Sequence, residues 1–158
     1  MEEKIKGLKE LKTIIPALKK RGKIIVFTNG CFDILHYGHA KYLEEAKDKG
    51  DILVVAVNSD SSVKKIKGEN RPVVQEKDRL RLIAALESVD YALLFKELTP
   101  LKVIEVLKPD ILVKGADWKN KGIVGGDLVK RCGGKVATIK LLSGRSTTNL
   151  IKKIASKF

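Results

Sequence analysis

Hydrophobic positions along this chain fall into two patterns, stripes at helical spacing and short continuous runs. The first stripe recurs every three or four residues and predicts an amphipathic helix; its members are Ile5, Leu8, Leu11, Ile15 and Leu18. Partly β-branched runs such as Ile24–Phe27 predict strands buried on both faces. Strands are expected near 23–28, 52–57, 90–95, 110–113 and 135–140, and further helices near 38–49, 76–87, 100–107, 124–132 and 146–156.

The predicted strands and helices alternate, which is typical of parallel sheets because each parallel strand must be reached by a crossover. We therefore expect an α/β fold, namely a Rossmann-like, doubly wound parallel sheet of five strands with an added N-terminal helix. The helical segment covers 1–21 and the remaining domain covers 22–158. Two stretches, about 60–75 and 116–124, are predicted to be flexible loops. Ligands of such sheets bind at the carboxyl ends of the strands.

The composition limits the kinds of function. The chain has 158 residues, a length typical of a single domain. Its net charge of +13 suits phosphate substrates and also permits nucleic-acid binding, but only 5% of its residues are aromatic, which disfavours a single-strand nucleic-acid binder. No run of 18 apolar residues and no signal-peptide core occurs, so we expect a cytoplasmic protein with no membrane partner.

Cysteine usage and phosphate-loop motifs exclude several other classes. Cys31 and Cys132 lack the spacing and the histidine cluster of a zinc site, and both are expected to be reduced. Neither a Walker A loop nor a Gly-x-Gly-x-x-Gly fingerprint is present. The sequence therefore argues against γ-phosphoryl transfer and hydride transfer, and it favours attack at an α-phosphate.

The most informative chemistry lies where the first predicted strand runs into the next helix. His36 and His39 are the only two histidines and stand three residues apart near the helix start, so both rings can address one group. Gly38 between them lets a ligand approach the amides at the helix N-terminus, which favour anions. A second anion site is predicted where Ser146 opens the last helix, and a basic run over 64–67 follows the second strand.

This junction resembles the signature of the small nucleotidyltransferases, whose His-x-Gly-His motif is related to that of class I aminoacyl-tRNA synthetases. From about residue 20 to the end, the pattern is similar to the adenylyltransferase domains of ADP-heptose synthases. The matching segments are Gly30–Asp33, His36–His39, Asn58–Asp60, Lys64–Gly68, Arg71–Val73, Asp78-Arg79, Lys114–Trp118 and Gly144–Asn149. Several separated motifs make this resemblance more specific than one short string would.

The resemblance implies an in-line displacement in which an oxygen of a sugar 1-phosphate attacks the α-phosphorus of ATP and pyrophosphate leaves. Because the attacking phosphate is already ionised, catalysis rests on positioning and on stabilisation of charge. His36 and His39 are the expected hydrogen-bond donors, and Lys65 and Lys67 are the expected phosphate clamps. Further candidates for the substrate phosphate are Lys64, which can exchange roles with either lysine, and Arg71.

The resemblance also implies a nucleotide site to which Mg²⁺ comes with ATP, with no metal ligands assigned in the chain. Asp33 is expected to orient the histidine loop or to assist Mg²⁺, and Arg79 to reach the phosphates from its helix. Asp117 and Trp118 are expected to line the base or sugar pocket, with packing as the alternative for Trp118. Related cytidylyltransferases carry an arginine shortly before the last motif, where this chain has Leu141 and Leu142. Whether Arg145, inside the motif, takes its place stays open. The nucleotide-binding candidates are Asn29, Gly30, Cys31, Phe32, Asp33, Gly38, Arg79, Lys114, Gly115, Asp117, Trp118, Ser146, Thr147 and Thr148.

Two other functions stay open. A CTP-dependent cytidylyltransferase acting on glycerol 3-phosphate or a similar alcohol phosphate shares these motifs. A basic nucleic-acid-binding module with a synthetase-like fold would instead be retained on DNA or RNA and release no pyrophosphate. A homodimer is possible, but the sequence does not specify an oligomeric state. Since no sugar kinase precedes the module, we expect a separate protein to supply the sugar phosphate.

Overall fold

The computed structural model describes residues 1–118 and 122–157, which form a sheet of five parallel strands. The strands are β1 (Ile25–Gly30), β2 (Ile52–Asn58), β3 (Tyr91–Phe95), β4 (Ile111–Gly115) and β5 (Lys135–Ile139). Their order across the sheet is β3-β2-β1-β4-β5. From β1 the chain adds β2 and then β3 on one side of the sheet. It then returns to the other side of β1, where it adds β4 and β5, so the direction of strand addition reverses beside β1.

Seven α-helices connect or follow these strands in the described residues. They are α1 (Leu8–Lys20), α2 (Tyr37–Lys47), α3 (Asp60–Lys67), α4 (Glu76–Ala85), α5 (Leu101–Leu107), α6 (Gly126–Arg131) and α7 (Thr147–Lys157). Short 3₁₀ turns occur at Glu2–Lys4 and Ala116–Trp118. None of the described helices is long and apolar enough to cross a bilayer.

Both faces of the sheet are covered by apolar side chains from these helices. On one face, Leu43 of α2 and Ile83 of α4 are fully buried against the strands. On the other face, Leu11 of α1 packs with Ile104 of α5 and Val129 of α6. The N-terminal helix thus contributes to the core, and shortening Leu11 to alanine would cost about 2–5 kcal/mol of stability.

The register of the strands brings the candidate chemistry to one edge. β1 pairs along its whole length with β2, and Asn29 lies opposite Ala56. On the other side β1 pairs with β4, with Phe27 opposite Leu112. Since all strands run in the same direction, the ends of β1, β2 and β4 meet at the carboxyl edge, where a reversal of strand order opens a crevice for ligands.

The predicted fold is confirmed, because the five strands, their direction and the N-terminal helix are all present. The prediction of a flexible loop over 60–75 was wrong, since α3 occupies its first half. The hydroxyl of Ser59 accepts a hydrogen bond from the Ser62 amide at 3.2 Å and caps this helix. With only Val63 as a buried apolar residue, α3 is too short to give a helical period. Of the other predicted loop, 119–121 lie outside the described residues. The division into 1–21 and 22–158 stays a prediction.

Candidate active site

A cavity of about 580 Å³ opens at the carboxyl ends of β1 and β4. Its wall is built from the β1–α2 loop, the end of α3, the end of β4 and the start of α7. The predicted site residues in this wall are Asn29, Gly30, Cys31, Phe32, Asp33, His36, Gly38, His39, Lys67, Arg71, Lys114, Gly115, Asp117, Trp118, Ser146, Thr147 and Thr148. The predicted residues outside the wall are Lys64, Lys65 and Arg79.

His36 and His39 stack on each other in the wall of this cavity. Their ring centroids are 3.8 Å apart and their planes are inclined by 20°, while Phe32 meets His39 edge-on at 5.4 Å. Three ring nitrogens, Nδ1 and Nε2 of His36 and Nδ1 of His39, are buried without a hydrogen-bond partner in the described part of the chain. Such atoms are rare in native proteins, so the pair has hydrogen-bonding capacity available for a ligand.

The surroundings of both imidazoles favour the uncharged form. Burial, together with the nearby Arg145 guanidinium, lowers the pKa of His36. Burial and the neighbouring His36 lower the pKa of His39 to about 4. A neutral imidazole still carries one N–H donor, and an anion held beside it favours protonation of the ring. The pair can therefore donate hydrogen bonds to a phosphate and gain charge as that phosphate binds.

Gly38 makes room for the histidine stack. A Cβ atom at this position would lie 2.9 Å from Cε1 and 3.0 Å from Nδ1 of His36, and 3.1 Å from Cβ of Arg145. These separations are shorter than ordinary van der Waals contacts, so any larger residue must displace the His36 ring. The glycine therefore has a packing reason in addition to the expected access to the helix N-terminus.

Asp33 fixes the β1–α2 loop to the segment that follows α3. It is only 2% exposed, and its carboxylate accepts hydrogen bonds from Arg71 Nε and from the amides of Val73 and Val74, the latter two at 2.8 Å. Burial alone would raise the pKa of Asp33, but the Val74 and Val73 amides and the Arg71 guanidinium outweigh it and the net pKa is lowered. Because its oxygens are committed to these bonds, the geometry favours an orienting role over assistance to Mg²⁺.

Arg79 does not reach the cavity from α4, contrary to expectation. Its side chain is 0% exposed, and the guanidinium donates hydrogen bonds to the carbonyls of Val74, Cys31 and Asn58. It also forms an ion pair with Asp60 at 2.8 Å. Arg79 thus joins the ends of β1 and β2 to the start of α3 from behind the cavity wall, and its contacts are those of a structural residue.

Helix α3 separates the three lysines that the sequence grouped together. Successive residues of an α-helix are rotated by about 100°, so Lys65 points about 200° away from Lys67. Lys67 and Ile66 lie in the cavity wall, whereas Lys64 and Lys65 are exposed outside it. The structure therefore brings only Lys67 of this run to the site.

Lys114 extends from the end of β4 into the floor of the cavity. Its ammonium donates to Oδ1 of Asn29 and lies 5.6 Å from the centroid of the Trp118 ring. Burial lowers the pKa of Lys114 to about 8, although Cys31 and Asp117 favour the charged form. This side chain joins the ends of the two central strands and places a cation between them.

The start of α7 faces the cavity as the sequence predicts. The hydroxyl of Ser146 accepts a hydrogen bond from the Asn149 amide at 3.1 Å and caps the helix. The Thr147 hydroxyl donates to the carbonyl of Ile34 at 3.5 Å and connects α7 to the β1–α2 loop. The amides of this first turn and the helix dipole suit an anion.

Arg145 stands beside this helix start, at the wall of the cavity. Its guanidinium lies 5.8 Å from the centroid of the Tyr37 ring, and it acts electrostatically on His36. Leu141, in the region where related enzymes carry an arginine, lies near Gly115 instead, since a Cβ on that glycine would be 3.1 Å from Leu141 Cδ1. Arg145 is thus the arginine of this segment that can meet a ligand in the cavity.

Several wall residues were not predicted. These are Tyr42, Asn58, Ile66, Leu98, Thr99, Pro100, Val124, Leu141 and Leu142. Tyr42 lies one turn after His39, and its hydroxyl is 2.8 Å from Oγ1 of Thr28; burial raises the pKa of Tyr42 to about 12. Leu98 and Thr99 follow β3, so the rule that places ligands at strand ends would have found them.

The described residues contain no group of three or more His, Cys, Asp or Glu side chains that could hold a metal ion. Mg²⁺ prefers oxygen ligands and is often held by one or two carboxylates together with substrate phosphates. The described part of the cavity wall holds two carboxylates, Asp33 and Asp117. Because Asp33 is engaged by Arg71 and backbone amides, this donor set fits a metal that arrives bound to a nucleotide.

Comparison with known proteins gives consistent matches over most of the chain. The model of the cytidylyltransferase-like family matches residues 27–149. The chain is 54% identical over 153 residues to the bifunctional protein HldE of Geobacter metallireducens. This match covers 97% of this chain and 31% of that protein. It is 52% identical over 155 residues to the HldE of Nitratiruptor sp., with 98% and 33% covered. The chain spans about a third of the length of the curated relatives it matches.

Two solved structures resemble the fold. The lipopolysaccharide core biosynthesis protein from Thermoplasma volcanium has 35% sequence identity and a TM-score of 0.62, and the match covers 77% of this chain and 98% of that chain. The pantoate-β-alanine ligase from Francisella tularensis, crystallised in complex with β-γ ATP and β-alanine, has 16% identity and a TM-score of 0.63, and the match covers 98% of this chain and 79% of that chain. At that identity the second likeness concerns the fold alone.

Proposed function

The chain belongs to the cytidylyltransferase-like family, and from this premise we propose that it transfers AMP from ATP to a heptose 1-phosphate. An oxygen of the sugar phosphate attacks the α-phosphorus, the bond to the bridging oxygen breaks, and ADP-heptose and pyrophosphate leave. The adenine base and the heptose rest on the resemblance of the motifs to ADP-heptose synthases. The similar structure from Thermoplasma volcanium is that of a lipopolysaccharide core biosynthesis protein, and a sugar nucleotide product agrees with such a role.

The observation that carries this proposal is the histidine stack with its unpartnered nitrogens. His36 and His39 present buried hydrogen-bonding nitrogens to a cavity at the sheet's carboxyl edge. Donors placed in advance where charge grows in the transition state are worth more than donors that must reorganise. In the proposed reaction the two rings donate to the oxygens of the α-phosphate and to the bridging oxygen, and no general base is needed because the acceptor is already an anion.

The distribution of charge in the cavity supports two phosphate substrates. Lys67, Arg71, Lys114 and Arg145 contribute cations to the wall, and Asp33 is already paired with Arg71. We assign the acceptor phosphate to Lys67 and Arg71, which lie on the side of α3. The β- and γ-phosphates of ATP belong, in the same proposal, at the first turn of α7, where free amides and the helix dipole favour anions.

Mg²⁺ enters this scheme as a companion of ATP. Bound to the triphosphate, it would neutralise negative charge on the departing pyrophosphate. We also infer that the enzyme acts in the cytoplasm, because the proposed substrates are nucleotides and sugar phosphates found there. A homodimer stays a prediction.

A pyrophosphate-release screen tests the proposed function. The purified protein is incubated with each of four nucleoside triphosphates and a panel of heptose 1-phosphates, hexose 1-phosphates and glycerol 3-phosphate, and products are identified by mass spectrometry. ATP with a heptose 1-phosphate should give pyrophosphate and ADP-heptose. Turnover restricted to CTP with glycerol 3-phosphate would move the protein to the cytidylyltransferases. Salt-sensitive retention on DNA or RNA without any pyrophosphate release would favour the nucleic-acid-binding module.

A further inference from the structure

Lys114 is a partly buried cation with an unusual set of neighbours. Its ammonium contacts Oδ1 of Asn29 and lies 3.5 Å from the Asn29 carbonyl oxygen. Trp118 lies beside it, and in the described residues no carboxylate forms an ion pair with it. Buried cations usually have a carboxylate partner, because an uncompensated charge away from water is costly. A role beyond stability is therefore expected for this residue.

The contact with Asn29 fixes the orientation of that amide by chemistry alone. A lysine ammonium can only donate hydrogen bonds, whereas an asparagine amide has one oxygen that accepts and one nitrogen that donates. The oxygen of Asn29 must therefore face Lys114. The Nδ2 group is then directed elsewhere, and it makes no hydrogen bond within the described residues. Asn29 itself lies in the cavity wall.

Both side chains start from rigid neighbouring strands. Asn29 lies on β1 opposite Ala56, and Lys114 lies on β4 opposite Thr138. β1 and β4 are adjacent and pair as far as Phe27 and Leu112, two residues before Asn29 and Lys114. Each of the two side chains is therefore anchored by its outer strand neighbour, at the point where the two central strands stop pairing. Sites built on sheet strands hold their geometry better than sites on loops.

We propose that Lys114 is a positioning residue that orients the Asn29 amide, so that Nδ2 donates hydrogen bonds to an oxygen of the bound nucleotide. This inference rests on the proposed function and adds a donor from β1 to those of the two histidines. It differs from a direct role of the lysine charge, in which Lys114 would contact a phosphate by itself and Asn29 would be a bystander.

A double-mutant cycle separates these two roles. The variants are Asn29→Ala, Lys114→Met and the double variant, with steady-state pyrophosphate release as the assay. Each single variant should lower kcat/KM about 10- to 100-fold, the usual range for a hydrogen bond that involves a charged group, and both should change the same kinetic parameter. The double variant should lose little more than the stronger single variant, because Lys114 acts through Asn29.

The pH profile gives a readout that a merely structural lysine would not move. Once Lys114 loses its proton near pH 8, the neutral amine can accept as well as donate, and the amide is free to turn over. Activity of the parent should therefore fall as pH rises through about 8. This fall should be absent in Asn29→Ala. The other groups that face the ammonium are Cys31 and Asp117, so Cys31→Ser is included, and the fall should persist in it.

Nucleotide binding keeps the inference testable independently of turnover. Trp118 is the only tryptophan in the chain and neighbours Lys114, so its fluorescence reports ATP binding directly. If the parent released no pyrophosphate with any substrate pair, the proposed function would fail, while the same cycle measured by ATP titration would still test the coupling. Multiplicative losses in the double variant, or an unchanged Lys114→Met variant, would overturn the positioning role. Thermal unfolding of each variant confirms that it is folded.

Discussion

Replacing Gly38 with alanine should reduce turnover strongly while the protein stays folded. The added Cβ would lie 2.9 Å from Cε1 and 3.0 Å from Nδ1 of His36, whereas ordinary carbon contacts are about 3.5–4.0 Å. The ring must therefore move by roughly half an ångström to one ångström, and it can do so because it is a side chain. Gly38 lies in the first turn of α2, where alanine is favoured over glycine by up to about 1 kcal/mol.

The expected loss follows from what His36 does in the proposed reaction. Removal of one donor from a developing oxyanion costs about 3–4 kcal/mol, or roughly 10²–10³-fold in kcat. A misplacement of about 1 Å can cost about 10²-fold. We therefore expect kcat to fall about 100-fold in Gly38→Ala, with a melting temperature equal to that of the parent or slightly higher.

Steady-state pyrophosphate release with ATP and heptose 1-phosphate measures kcat, and thermal unfolding measures stability. Gly126→Ala is the matched control, since it also lies in a first helical turn but its Cβ would come no closer than 3.4 Å, to Val136. The control should keep kcat within a few-fold of the parent. A Gly38→Ala variant with nearly normal kcat would refute the packing argument, and so would a variant that loses activity only because it unfolds.

Three further predictions follow from the site. Lys67→Ala should lower kcat/KM at least tenfold with an unchanged melting temperature, whereas Lys65→Ala should stay within about twofold in the same assay, because only Lys67 faces the cavity. Burial holds the pKa of His39 at about 4 in the folded state, against an ordinary value of 6.5. The free energy of unfolding should therefore be highest above pH 6.5 and should fall as the pH drops from 6.5 towards 4, because the unfolded state takes up the proton first. Denaturant titrations at several pH values should show this fall, and His39→Gln should make it smaller. ATP should have a higher kcat/KM than CTP when the two compete, and a preference for CTP would assign the chain to the alternative activity.

The histidine site was predictable because its signals are local. A continuous apolar run, a glycine and two histidines occur within a short stretch, and the alternation of strands and helices fixes which strand ends meet. The start of α7 was predictable for a similar reason, since Ser146 caps this helix by accepting a hydrogen bond from the amide of Asn149, three residues away. Such features depend on spacing along the chain and need no knowledge of distant contacts.

The roles of individual basic residues could not be read in the same way. With 60–75 taken as a loop, no local signal could tell which of Lys64, Lys65 and Lys67 reaches the site. In α3 the helical rotation turns Lys65 away from Lys67, and Lys64 lies one turn earlier, outside the cavity wall. Arg79 carries a recognisable signal in retrospect, because it lies four residues before Ile83 and both are fully buried on one face of α4. The position of an arginine on the apolar face of a helix indicates a buried structural role and not a contact with a ligand.

Hydrogen-bonding capacity that remains unused separates the structural polar groups from the candidate functional ones. Arg79 makes three bonds to carbonyls and one to a carboxylate, so four of its five N–H donors can be satisfied within the protein and little remains for a ligand. His36 and His39 are partly buried, and three of their ring nitrogens are buried without a partner in the described residues. Lys114 lies between these two cases: its ammonium donates to the amide oxygen of Asn29, which leaves the Asn29 amide nitrogen without a partner in the described residues. Burying a polar group without a hydrogen-bond partner destabilises the fold. A bound phosphate that accepts hydrogen bonds from the unpartnered histidine nitrogens would explain why they are buried in this way.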